Sequence, residues 1–157
     1  MSVAPDSTAE VFFVHGGRRA IDQTIVRLDA APVPNDDTRR VLEVAATVKW
    51  ERSNHNVYVI KLASEVVGED KFLKANPGYI PGAKLCVYVG MTGLTPEERL
   101  RRHLAGIQAN RFVKRYGVDL CPTLYADLNP MPHDLAKEME PWLARFLRAE
   151  GYGVWQN

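Results

Sequence analysis

Residues 87–103, VYVGMTGLTPEERLRRH, leave little choice of local structure. Val87, Tyr88 and Val89 are β-branched or aromatic, the side chains that a pleated strand accommodates best. Gly90 and Gly93 bracket a turn. Thr95, Pro96 and Glu98 then spell a helix start. Thr stands at the N-cap, Pro at N1 where its missing N–H costs nothing, and Glu at N3 to complete a capping box. Leu100, Leu104 and Ile107 recur at i, i+4, i+7 and predict an apolar helix face. Arg99 and His103 lie one turn apart, so they share a neighbouring face. The stretch therefore predicts a tyrosine at a strand end, facing a helix that presents an arginine and a histidine together.

The length of 157 residues suits one domain, or one domain with an appendage, and is enough to bury a core without staples. The two cysteines, Cys86 and Cys121, stand in apolar or strand-like settings and read as free thiols rather than a disulfide or metal site. No apolar run is long enough to span a bilayer. Residues 1–10 have neither a basic nor an apolar leader region, which points to the cytoplasm and away from membranes. The net charge of +1 argues against a protein that binds nucleic acid by bulk charge. Local patterning argues the other way. Between positions 99 and 115 stand Arg99, Arg101, Arg102, Arg111, Lys114 and Arg115, with no acid among them. A basic stripe of this kind suits phosphate neutralisation, although charge runs also form plain solvated helix faces.

Taken in order, residues 10–14 read as a short buried strand and His15-Gly16-Gly17 as a turn. Ile21, Ile25 and Leu28 then predict an amphipathic helix over 18–29. A strand, Gly-Gly turn and helix can cradle a phosphate, but HGGRR lacks the glycine spacing of a nucleotide loop. That reading is weaker than a structural turn. Residues 30–37 are a Pro- and Asn/Asp-rich breaker. Val41, Val44, Ala45 and Val48 predict a helix over 38–50, with a strand open for its second half. HNVYVIKL at 55–62 predicts a strand with Tyr58, Ile60 and Leu62 on one face. Residues 63–84 form a long insertion with a short helix at 69–75. A second short helix is expected at 109–117, and a third strand at 119–128, kept irregular or at an edge by Pro122. The last helix covers 133–150 and ends at Gly151. Pro141 should kink or split it. A final short strand is expected at 152–155.

Tyr88-Val89-Gly90, Arg99 on the following helix and His103 one turn later resemble the GIY-YIG nuclease family. Asn56-Val57-Tyr58 stands where that family's first motif belongs, and Glu140 with Leu143 resembles its E-x-x-L setting. The resemblance covers residues 54–157 and leaves 1–53 as an N-terminal αβ extension packed on or beside the core. It implies an α+β domain, with a small central antiparallel β-sheet of about three strands flanked by helices. It departs from the family at Asn56, which replaces a glycine, at Met91, at Pro141, and at Asn157, which stands far from Glu140.

The resemblance implies a Mg²⁺-dependent endonuclease (Mn²⁺ being the alternative ion) that hydrolyses phosphodiester bonds in DNA. Tyr58 would be the general base, Tyr88 would position water or a phosphate oxygen, Arg99 would stabilise the phosphoryl charge, and His103 would activate water or bind phosphate. Glu140 would hold the metal, with Glu138 as its rival. One carboxylate is enough, since Mg²⁺ keeps several waters. Gly90 would allow close backbone approach. Thr92, Arg101, Arg102, Arg111, Lys114, Arg115 and Asn157 would contact nucleic acid. A phenol has a pKa of about 10, so a tyrosine base needs positive charge nearby. A homodimer would suit cutting of both strands. The alternative is a catalytically silent module on the same fold that binds nucleic acid or a partner.

Overall fold

A computed structural model describes residues 35–156. The expected strand at 10–14, the helix at 18–29, the Gly16-Gly17 turn and Asn157 lie outside the described residues. Five helices and four strands follow in the order α1 (Asn35–Thr47), β1 (Asn56–Leu62), α2 (Asp70–Ala75), β2 (Cys86–Thr92), α3 (Pro96–Leu104), α4 (Arg111–Tyr116), β3 (Gly117–Leu120), α5 (His133–Ala149) and β4 (Gly153–Gln156), with short 3₁₀ turns between them. The architecture is α+β, a small sheet flanked by helices.

The sheet differs from the expected three antiparallel strands. It has four, in the order β3-β1-β2-β4, and it is mixed. β1 pairs antiparallel with β2, placing Tyr58 opposite Gly90 and Ile60 opposite Tyr88. β3 adds antiparallel to β1, whereas β4 runs parallel to β2. The parallel pairing follows from α5, which carries the chain back across the sheet before β4 begins, as a crossover between parallel neighbours must. The third strand is also shorter than expected. It ends at Leu120, and the chain continues in 3₁₀ turns at Pro122–Leu124 and Ala126–Leu128. Pro122 has no N–H for a ladder, so the strand stops ahead of it.

α1 runs from Asn35 to Thr47, so Val41 and Val44 take the helical option, whereas Val48 lies past its end and an extended Lys49 leads into a 3₁₀ turn at Trp50–Arg52. It lies on α5, where Val41, Ala45 and Trp50 join the core. Arg145 Nε to Asp37 at 2.8 Å and Arg40 to Glu138 at 2.9 and 3.2 Å run along the seam. α5 is continuous through Pro141. A proline costs a helix about 3 kcal/mol. Here Leu135, Ala136, Met139, Trp142, Leu143, Ala144 and Leu147 are all buried on both sides of it, and that apolar stripe outweighs the lost bond. Cys86 is buried, Cys121 is half-buried, and both are free thiols.

β4 is a sheet edge, and its backbone groups would be orphaned without a cover. Asn76, at the end of the insertion helix α2, supplies one. Its amide donates to the Phe72 and Val154 carbonyls at 2.8 and 2.9 Å and accepts the Val154 N–H at 2.8 Å. Arg148 Nε adds a fourth bond at 3.3 Å. Asn76→Ala should therefore lower stability by about 3 kcal/mol, since the buried Val154 N–H is left without a partner. A urea midpoint unchanged from wild type would show that the insertion does not hold β4.

Candidate active site

The site is built where β1 and β2 meet the buried side of α3. Tyr58 sits directly across from Gly90, so its ring can lie over the neighbouring strand. A Cβ at Gly90 would stand 2.5 Å from Tyr58 Oη and 2.9 Å from Tyr88 Cε1. The rings of Tyr58 and Tyr88 are 6.1 Å apart, and the His103 ring closes the triangle at 6.1 Å from Tyr58 and 5.6 Å from Tyr88.

α3 starts as expected. Thr95 caps it by accepting the Glu98 N–H, with Pro96 in its first turn. The buried face is a different one. Leu104 and Ile107 are nearly half exposed, whereas His103 is wholly buried. The helix ends at Leu104, so the i, i+7 partner falls in a turn and the apolar stripe has too little helix to form. Asn110 then caps α4 with its side chain and donates its own backbone N–H to His103 Nδ1 at 3.1 Å. That nitrogen is therefore the unprotonated one, and Nε2–H donates to Tyr58 Oη at 2.9 Å. Tyr58 and Tyr88 share a further hydrogen bond. With the imidazole N–H already on its oxygen, Tyr58 is the donor towards Tyr88. The order Asn110, His103, Tyr58, Tyr88 is thus a directed chain of hydrogen bonds.

Burial pushes the Tyr58 phenol well above its ordinary range and the Tyr88 phenol up to about 12, so Tyr88 is the more acidic of the pair. Arg99 pulls both down, and Glu140 pushes both up. Both phenols thus feel the charges of Arg99 and Glu140. Burial and the Arg99 charge hold His103 down at about 4, so it is neutral in the folded protein. A histidine whose folded pKa lies below its unfolded value loses stability as pH falls between the two, because only the unfolded chain takes the proton. Going from pH 7 to pH 5 should cost the wild type about 2 kcal/mol through this group. His103→Gln should lack that component. Parallel urea titrations of the two proteins at both pH values check this, and equal pH slopes would rule it out.

Glu140 projects from α5 towards the end of β2. It accepts from Gln156 Nε2 at 2.9 Å and from the Met91 N–H, and burial holds its carboxyl above the usual carboxylate range. Its rival Glu138 is spent on Arg40. Arg99 donates to the carbonyls of Ile107 and Gln108 at 3.4 and 2.8 Å, which pins the turn after α3. Gly106 and Gln108 in that turn have positive φ. Thr92 is buried and its hydroxyl accepts the Leu94 N–H at 3.0 Å. Asn56 ties β1 to the same turn through the Leu94 carbonyl at 3.1 Å.

No family model, curated protein or solved structure matches this chain.

The basic stripe is partly neutralised from outside its own span. Arg101 and Arg102 both bond Glu98, whose carboxyl they hold down at about 2. Arg111 and Arg115 both reach Glu69, at 3.5 Å each, on the insertion. These are exposed pairs and exchange readily with other anions. Lys114 lies along the Gly106 turn. Sequence reasoning missed Glu69, Asn110 and Gln156, and read Glu98 only as a capping residue. Glu98 was legible, since it sits i+3 and i+4 from Arg101 and Arg102. Nothing local pointed to the other three.

Among the described residues no cluster of three or more metal-ligating side chains occurs. The fit to a metal rests on Glu140 alone. It is a half-buried carboxylate whose only described polar contacts are two N–H donors, and burial strains its charge. A hydrated Mg²⁺ held by one carboxylate suits that donor set.

Proposed function

We propose that this chain is a metal-dependent endonuclease of GIY-YIG type that hydrolyses phosphodiester bonds in DNA. One observation carries the proposal: Tyr58, Tyr88 and His103 pack together beside Gly90, Glu140 accepts the N–H of the next residue, Met91, and the Arg99 charge reaches all three rings, although these residues are scattered over more than half the described chain. An order of motifs in a sequence does not require that convergence.

In this reading the Asn110–His103 pair holds Tyr58, and Tyr58 holds Tyr88. The resemblance makes Tyr58 the base. Within this chain of bonds Tyr88 is the outer and more acidic phenol, so we assign it the contact with the attacking water. Tyr58 fixes its orientation and shares the proton. His103 stays neutral and acts through Tyr58. Arg99 exchanges its carbonyl partners for phosphate oxygens and offers two parallel N–H donors to the charge that develops on phosphorus, a geometry lysine lacks. Glu140 would hold Mg²⁺, which when bound neutralises phosphate charge and assists the leaving oxygen. Arg101, Arg102, Arg111 and Arg115 exchange surface carboxylates for backbone phosphates, and Lys114 adds its charge beside them.

A second reading has its own observation. Arg99 is engaged by the Ile107 and Gln108 carbonyls, which suits a silent binding module whose arginine is structural. Incubation of the folded chain with supercoiled DNA, branched DNA and RNA, with Mg²⁺, with Mn²⁺ and with chelator, separates the two. Metal-dependent scission supports the nuclease. Salt-sensitive binding without scission on any substrate supports the module.

A further inference from the structure

A cavity of about 720 Å³ lies between the C-terminal end of α1 and the start of α5, away from the tyrosine cluster. Among the described residues its lining brings together Lys49, Arg52, His55, His133 and Lys137. They come from four separate segments: the linker after α1, its 3₁₀ turn, the approach to β1, and α5. None of them is spent in the site described above. The acids that face the cavity are Asp134 and Glu138. Glu138 is bidentate to Arg40, and Asp134 is largely solvent-exposed and lies 3.4 Å from His133 Nδ1. The cations therefore exceed the acids that remain to balance them.

The two imidazoles meet edge to face, with ring centroids 4.7 Å apart. Burial and the His133 ring hold His55 below the ordinary histidine range, a conflict that an anion beside the pair would relieve. His55 Nδ1 is bonded to Asn54 Oδ1 at 2.8 Å, and its Nε2 side rests on Gly93, where a Cβ would stand 3.3 Å away. His55 is therefore held in place by the same turn that leads into α3. It precedes Tyr58 by three strand positions, or about 10 Å, and points to the other sheet face.

We propose that this cavity is a phosphate-binding site, separate from the tyrosine cluster, in which Arg52 and Lys137 neutralise the anion and His133, braced by the His55 ring, hydrogen-bonds it. The volume falls within the range of small-ligand pockets, roughly 300–1,000 Å³, and accommodates a mononucleotide or one backbone phosphate with its sugar. The nuclease reading enters only through the source of the phosphate. If the group belongs to the bound polynucleotide, the cavity holds a stretch of strand away from the scissile bond. If it belongs to a free nucleotide, the site is a separate ligand pocket.

The test is a titration of the full ¹⁵N-labelled chain with inorganic phosphate at constant ionic strength, against chloride. The amides of residues 49–55 and 132–138 and the imidazoles of His55 and His133 are followed. Saturable shifts confined to these groups, weakened about tenfold in the Arg52→Ala/Lys137→Ala variant, are expected. Both side chains are surface-exposed, so the variant should remain folded, and its amide spectrum verifies that. Titration with a deoxymononucleotide and with a short single-stranded oligonucleotide then identifies the source. Tighter binding of the oligonucleotide at the same amides assigns the cavity to the polynucleotide, and equal or better binding of the mononucleotide assigns it to a free ligand. No saturable shift at the cavity, or shifts unchanged in the double variant, would overturn the proposal. Plasmid cleavage measured on the same samples keeps the two claims apart: a protein that cuts DNA but leaves the cavity silent refutes the phosphate site alone.

Discussion

Glu140→Gln should abolish metal-dependent cleavage while leaving the protein folded and no less stable at neutral pH. The carboxylate is half-buried, and burial raises its pKa. A carboxyl whose folded pKa lies above its unfolded value binds more protons folded than unfolded in that window. Stability therefore falls as pH rises from the ordinary carboxylate value through the raised one. The amide carries no charge and removes this penalty, while its oxygen still accepts a hydrogen bond where the Gln156 amide and the Met91 N–H now converge. Urea midpoints at pH 5 and pH 8 should show the wild type losing stability between them relative to the variant. On activity the direction is opposite. A neutral amide oxygen is a poor ligand for a hard divalent cation, so cleavage should drop by roughly three orders of magnitude. A group that strains the fold and is needed for the reaction is the pattern expected of a functional site. If Glu140→Gln instead destabilises the protein and still cuts, the carboxylate is structural.

Gly90→Ala is the second large effect, and it arises from packing. The added methyl meets Tyr58 Oη at 2.5 Å and Cζ at 2.6 Å, and Tyr88 Cε1 at 2.9 Å. Both rings are fixed inside the sheet, so they must shift rather than swing away. Overpacking of this kind costs about 1–3 kcal/mol. Any shift of Tyr58 also lengthens its 2.9 Å bond to His103 and turns Tyr88. A misplacement of about 1 Å at reacting groups costs on the order of a hundredfold in rate. The variant should remain folded, with a lowered urea midpoint, and should lose cleavage by more than its stability explains. Full activity in Gly90→Ala would mean that the tyrosine pair does not need its present geometry.

Local chemistry made part of this legible in the sequence. Thr95 and Pro96 fixed the start of α3 to the residue, because a cap is decided within one turn, whereas the Glu98 carboxylate turns to Arg101 and Arg102 instead of closing the capping box. The insertion helix, expected at 69–75, is found at Asp70–Ala75. The sheet was only half legible. β1 and β2 announce themselves by β-branched runs, but the parallel placement of β4 depends on how α5 packs, and a four-residue strand carries no direction of its own. The split that Pro141 could have caused does not occur for a related reason, since the local cost of proline is set against burial that the sequence does not display.

The site divides in the same way. Tyr58, Tyr88, Arg99, His103 and Glu140 could be named from motif order. What organises them could not. Tyr58 and His103 are bonded across a sequence separation of 45, and the donor that selects the His103 tautomer is a backbone N–H of Asn110. A backbone donor has no signature in a sequence. His103 itself was expected on a face beside a buried leucine stripe. Only Leu100 packs on the core, Leu104 and Ile107 are exposed and the histidine is buried, because α3 ends before the stripe can form.

The account stands on one comparison above others: nicking of supercoiled plasmid by wild type, Arg99→Lys and Glu140→Gln, side by side in Mg²⁺ and in chelator, with folding of each verified by circular dichroism. The account predicts nicking by the wild type in Mg²⁺ only, and none by either variant, because lysine cannot supply the paired donors of Arg99 and glutamine cannot hold the cation. Nicking that survives chelator, or that is unchanged in both variants, would contradict it.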